Sequence, residues 1–510
     1  MDQPPPTVPP PEPSAGSRSE PPSPVRLPAG ASVPLLLSAV GAGLLAVRLL
    51  GPGWAEGFPA TWPDAVWPDE SYLALAEQGP FRPGFWLGFR PPVYPLFCWA
   101  LFRDSRLIVV AQTLLAAGSV AVLALTAART LRSRPVAVPA VILIVAIPLQ
   151  ARYSQWHTQI LSESLAASLG LLAIAAWWRF ADRPSPRRAG LGAVTLAAWM
   201  LIRDAHVISA VAVLGPLLGL VAATGRSLGT PVRRALAATV AVIVVGAGYS
   251  LVAESRTHRA RLSFHNTIGV RVLPDPELSR WFAARGMPLD DALRGRTGRS
   301  GLDDDFYRSE EPAFARYRQW VDGPGRRAMA WSLVALAPRY GSLLGDDLPE
   351  VLRGDVRYYD THEVRRRLPS VWPGQLGGPA DRTGLLVWLA VALGSLTAGA
   401  VATRRGDPSR RALVFAGALL ALTAAELYTT WAGDPVELAR HVVGADQRLA
   451  IGLVIATAVG LDALLGTRRR GPGSDGGDTG GSRNPELAVT DDASARPAVT
   501  PGPSGAGVGA

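Results

Sequence analysis

The chain has 510 residues, 48% of them apolar and 18% charged, and carries a net charge of +10. Every basic residue is arginine, in a composition also heavy in Ala, Gly and Pro. The positive balance therefore reads as the codon usage of a GC-rich genome and gives no support to a nucleic-acid partner. A single cysteine, Cys98, excludes an intramolecular disulfide framework and a cysteine-based metal cluster.

The first thirty residues hold eleven prolines, with Ser and Gly among them. Such a stretch buries too little apolar surface to offset its ordering entropy, so residues 1–31 are expected to form a disordered tail. The apolar run that follows lacks a cleavage site and reads as a retained anchor. A helix needs roughly 20 apolar residues to cross the hydrocarbon core of a bilayer. Runs of that kind fall at 33–51, 107–128, 135–150, 160–178, 189–202, 207–223, 235–253, 383–402, 411–430 and 447–466, with those at 135–150 and 189–202 short. The expectation is an all-α integral membrane protein of about ten spans. It has a seven-helix module at 32–253, a three-helix module at 383–466, and a second disordered tail at 467–510, rich in Gly, Ser and Pro.

Arginines give the orientation. Alternate short connections carry seventeen of them, from Arg129 to Arg470, whereas the short connections on the other side carry Arg152, Arg203, Arg440 and Arg448. The positive-inside rule then places both termini in the cytoplasm, which suits a protein of the plasma membrane. Two connections are too long to be turns, and both fall outside. They are 52–106 and 254–382, and together they are expected to form a cap. The second includes an apolar helical stretch at 326–344 suited to the membrane surface.

In the first outer loop, Trp67-Pro68 leads into Asp69-Glu70-Ser71-Tyr72, and Arg90-Pro91-Pro92-Val93-Tyr94-Pro95 follows. Asp69-Glu70 can simply start a helix, with Asp as N-cap and acids in the first turn. Neighbouring residues on a helix point about 100° apart, so at most one of the two carboxylates would face a given substrate. Glu163 opens a later span, where an unpaired charge would be costly, so it faces the bundle interior or pairs with an arginine. Arg203, beside Asp204, and Arg440 lie at outer helix ends, as a local ion pair or a snorkelling side chain would. His157 and Glu426 lie at the same level. Five tryptophans of the first outer loop suit either the membrane interface or sugar stacking. A phosphate loop of the Walker type is absent, which argues against a nucleotide-driven pump.

Taken in chain order, these residues resemble a family. An acidic pair after the first helix, then Tyr72, Arg90-Pro91-Pro92-x-Tyr94-Pro95, Leu161-Ser162-Glu163, Arg203, and Glu437-x-x-Arg440-His441 together resemble the membrane glycosyltransferases of GT-C fold. These include the protein O-mannosyltransferases and the actinobacterial mannosyl- and arabinosyltransferases. The resemblance implies a GT-C-type helical bundle that moves a sugar from a polyprenyl-phosphate donor to an acceptor hydroxyl on a glycan, lipid or protein. It implies Asp69, or else Glu70, as the base. The outward arginines Arg90, Arg203 and Arg440 are then suited to gripping phosphate, helped by His206 and His441, with Tyr72, Tyr94, Glu163 and Glu437 in the same site. Some members use a divalent cation (Mg or Mn) beside the acidic pair and others use none. The competing expectations are a transporter or flippase of lipid-linked saccharides and a non-catalytic scaffold of the same fold.

Overall fold

A computed structural model describes residues 43, 72–211, 229–257, 261–301, 311–353, 381–403, 409–436 and 438–468. The first expected span apart from Gly43, most of the sixth, Asp69, Glu70, Glu437, the first tail and the second tail beyond Arg468 lie outside the described residues. Every regular element among the described residues is helical. Among the described residues, six helices are long and apolar enough to cross a membrane.

The helices that position the site are α1 (Tyr72–Gln78), α2 (Val93–Ala100), α3 (Ser105–Thr130), α4 (Arg134–Leu149), α5 (Ser162–Asp182), α6 (Pro186–Met200) and α7 (Thr230–Thr257). After them come α8 (Arg261–Thr267), α9 (Pro276–Ala283), α10 (Arg326–Ala335), α11 (Ala337–Arg353), α12 (Arg382–Ala402), α13 (Ser409–Gly433) and α14 (Leu438–Arg468). The six span-length helices are α3, α5, α7, α12, α13 and the 440–466 part of α14. Two further expected spans appear as shorter helices, α4 with 16 residues and α6 with 15. At 1.5 Å per residue these are roughly 24 and 22 Å long, less than a hydrocarbon core.

Helix α5 is the centre of the bundle and packs on α3, α6 and α13. Its small residues allow this. Gly170 gives way to the Arg448 side chain from α14, whose Nη1 would lie 2.8 Å from an added Cβ. Helix α14 meets α12 through another gap, where a Cβ on Gly460 would stand 2.3 Å from the Ser395 carbonyl carbon. Between α4 and α5 the chain makes a short α-helical turn at Ala151–Ser154 and a 3₁₀ turn at Gln155–Thr158, with Tyr153, Trp156 and His157 all buried.

The described part of the long connection 254–382 packs around the aromatic side chains Phe282, Phe314, Tyr317 and Trp320, continuous with the core of the bundle. Helix α8 runs directly into a π turn, Ile268–Val272. Helix α9 is capped by Asp275, whose Oδ1 accepts from the amides of Glu277 (2.9 Å) and Leu278 (3.0 Å), while Arg339 Nε holds Oδ2 at 2.8 Å. This segment docks on the end of α13. Arg271 donates to the Trp431 carbonyl at 2.7 Å and lies 3.8 Å over the Trp431 ring. The stretch expected on the membrane surface is the pair α10 and α11, and Trp331 and Val334 of α10 are exposed.

Candidate functional site

The first turn of α5 carries Glu163, where the helix dipole favours a carboxylate. The side chain is buried, with Oε1 lying 3.6 Å from both Arg203 Nη1 and Arg440 Nε. At that separation neither contact is a hydrogen bond, and Glu163 Oε2 is buried with no hydrogen-bond partner. Both guanidinium side chains keep 15% exposure, so they are largely desolvated and still reachable.

His441 stands beside both arginines. Its Nδ1 lies 2.6 Å from Arg203 Nη2, and its Nε2 is 3.3 Å from Arg440 Nη2. A neutral imidazole offers one acceptor nitrogen, and the shorter contact selects Nδ1. The ring proton is then on Nε2, which faces Asp434 Oδ2 at 3.5 Å. Asp434 is in turn held by the outer segment: Ser263 Oγ donates to Oδ2 at 2.8 Å and Asn266 Nδ2 to Oδ1 at 3.0 Å. Burial pushes the Asp434 carboxyl above the usual carboxylate range, against the opposing effect of these hydrogen bonds and of Arg440.

The first outer loop reaches the same place. The Tyr72 hydroxyl donates to Ser162 Oγ at 3.0 Å, next to Glu163. The Arg90 guanidinium lies 5.2 Å above the Tyr72 ring and within electrostatic reach of His441. Tyr94 is fully buried, with its hydroxyl on Gln112 Oε1 at 2.6 Å and its ring edge-on to Tyr72 at 4.8 Å. It therefore braces Tyr72 and presents no surface of its own. His157 is buried against Ser164 Oγ at 2.7 Å, and burial lowers its pKa to about 4.

His206 belongs to a neighbouring network. Its Nε2 lies 3.7 Å from Glu426 Oε1, and its ring stacks on Trp199 with centroids 4.3 Å apart. Glu426 is held by both ends of the Arg448 guanidinium, Nε at 2.9 Å. Of the expected site residues, the structure thus gathers Tyr72, Arg90, Glu163, Arg203, Arg440 and His441 at one end of α5, with His206 one network away. Sequence reasoning missed Asp434, Ser263, Asn266 and Arg448. Gly433-Asp434-Pro435 reads as a turn, and Ser263 and Asn266 sit on α8 within the long connection 254–382, whose only sequence signal is its length. For a divalent cation, no group of three or more His, Cys, Asp or Glu side chains could hold a metal ion among the described residues.

No family model matches the chain, and no curated protein does. Among solved structures it is similar to the archaeal oligosaccharyltransferase AglB from Archaeoglobus fulgidus, solved with an inhibitory peptide and a dolichol-phosphate. The identity is 13% and the TM-score 0.38, over 83% of this chain and 50% of that one. The chain thus spans half the length of that protein, and at this score the likeness fixes no residue's role.

Proposed function

We propose that the chain is a membrane glycosyltransferase that moves a sugar from a polyprenyl-phosphate donor to an acceptor hydroxyl on the extracytoplasmic face, with both termini in the cytoplasm. The observation that carries this reading is the gathering of Arg203, Arg440 and His441 around a buried carboxylate at one end of α5. Partly exposed guanidiniums held by a second layer of Asp434, Asn266 and Ser263 suit a phosphate that gains negative charge as it leaves. Arg90 on the Tyr72 ring adds a third cation from the first outer loop.

In the reaction, the acceptor oxygen attacks the anomeric carbon from the face opposite the phosphate, inverting the centre. The bond from that carbon to the phosphate oxygen breaks, and its electron pair leaves with the polyprenyl phosphate. The acceptor proton passes to Asp69 or Glu70. Asp69 precedes Tyr72 by three residues, which is at most about 11 Å of extended chain. That short tether supports an acidic pair working beside the arginines.

The test is transfer of labelled sugar from a panel of polyprenyl-phosphate donors, with purified protein in lipid. Asp69→Asn is expected to lose turnover by about a hundredfold or more while keeping donor binding. Full transfer by that variant moves the base to Glu70. Movement of labelled donor across vesicles without a new glycosidic bond overturns the enzyme in favour of a flippase.

A further inference from the structure

A second feature lies at the opposite end of α5. Helices α6 and α13 both pack on α5 and touch each other little, leaving a groove with α5 as its floor. The groove encloses only about 90 Å³ and is otherwise open, so it is a surface cleft and not an enclosed ligand cavity. The floor is Ala173, Ile174 and Trp177, and the walls are Leu196 on one side with Phe415 and Leu419 on the other. Toward the candidate site the groove ends on Glu426 and Arg448, which neutralise each other. Nothing along it is charged and uncompensated, so the part of a ligand that lies there is hydrocarbon.

The other end is different. Each wall helix sends an arginine to the last turn of the floor helix. Arg188 of α6 donates through Nη1 to the carbonyls of Arg179 and Arg183, both at 2.9 Å. Arg411 of α13 reaches the Asp182 carbonyl at 3.4 Å, and its Nε is buried with no hydrogen-bond partner. Arg179 lies within electrostatic reach of Arg129 and Arg188. Among the described residues, no carboxylate is within ion-pair distance of Arg129, Arg179, Arg188 or Arg411, and Asp182 pairs with Arg183 at 3.5 Å. Arg179 is two residues past Trp177 of the floor and Arg411 four residues before Phe415 of the wall, so these guanidiniums gather at the last turn of α5, about one turn beyond the groove's lining.

We infer that the groove between α6 and α13 is a phospholipid site, with one acyl chain on the α5 floor and an anionic headgroup between Arg188 and Arg411. Arg179 is sixteen residues from Glu163, roughly 24 Å along the helix, so this lipid is distinct from any donor whose phosphate lies at the other end. The inference does not rest on the proposed reaction.

The test is native mass spectrometry and thermal melting of the full chain in detergent, with phosphatidylglycerol, phosphatidylcholine or inorganic phosphate added. One phosphatidylglycerol should be retained about tenfold better than phosphatidylcholine and raise the melting temperature, since each arginine near a headgroup adds to the attraction. The double variant R188Q/R411Q should bind the two lipids alike. Ala418→Phe fills the groove from α13 and should lose both lipids while its lipid-free melting temperature stays at the wild-type value. Should that variant fold poorly, R188Q/R411Q alone decides through the headgroup preference. Equal binding of both lipids by the wild type overturns the inference, as does the same melting shift from inorganic phosphate, which has no chain to place.

Discussion

Arg203 works as a fork. One terminal nitrogen bonds His441 at 2.6 Å and the other faces Glu163 at 3.6 Å, so the planar group spans two partners with fixed geometry. A lysine carries the same charge on one point and reaches one of them. Arg203→Lys is therefore expected to weaken donor binding about tenfold or more, the scale of one lost charge-assisted bond, with the melting temperature unchanged. Titration of a fluorescent polyprenyl-phosphate donor against both proteins measures it, and equal affinities would remove Arg203 from the site. Arg203 and Arg440 were legible from sequence because so many other arginines fall on the opposite side that an outward one needs a reason. Asp434 was not, since a carboxylate between Gly433 and Pro435 has an ordinary turn role, and only the fold brings Ser263 and Asn266 to it. Likewise, Glu426 and Arg448 lie on separate helices, and no periodicity pairs them.

At the scale of elements, the crossing of α12 and α14 depends on absent side chains. A Cβ on Gly460 would stand 2.3 Å from backbone carbon of Ser395, and one on Gly399 would stand 2.7 Å from the Gly460 carbonyl oxygen. Backbone cannot swing aside as a side chain does. Gly460→Val should then destabilise the bundle by about 2–4 kcal/mol, whereas Gly417→Ala on α13, with nothing within 4 Å, should be neutral. Thermal melting of the purified variants separates them, and equal melting would mean the helices can part freely. Hydropathy located the runs that became α4 and α6 without giving the reason they are short. The chain leaves α4 after Leu149 to bury Tyr153, Trp156 and His157 in two short helical turns that lead into the Glu163 end of α5.

Across the whole molecule, two buried histidines tie stability to pH. Burial lowers His265 to about 3 and His157 to about 4. The unfolded chain takes up a proton at each near pH 6.5, so stability is fully present above that value and falls as the pH drops below it. At pH 5, each such histidine costs about 2 kcal/mol relative to neutral pH. His265 Nδ1 meets the Tyr317 hydroxyl at 2.8 Å among the aromatic side chains of the outer segment, so His265→Gln should flatten the fall in melting temperature between pH 7 and pH 5. An unchanged slope would assign the acid sensitivity elsewhere. The helical membrane class was readable from long apolar blocks, because a bilayer enforces span length and composition. The docking of the outer segment was not, since Arg271 on Trp431 joins residues 160 apart through one guanidinium and one ring.

In the proposed reaction Glu163 would have a kinetic meaning as well. Arg203 and Arg440 share the Glu163 carboxylate, so in that reaction an arriving phosphate would trade places with a resident anion and would not fill bare charge. The exchange weakens entry somewhat, and it helps more at departure. When a spent carrier loosens, the carboxylate is already in position to replace it, and two desolvated cations are never left bare. A tight guanidinium clamp would otherwise hold its product. In the proposed reaction Glu163 would act as a built-in eluent, keeping the grip on phosphate firm enough for orientation and weak enough for release.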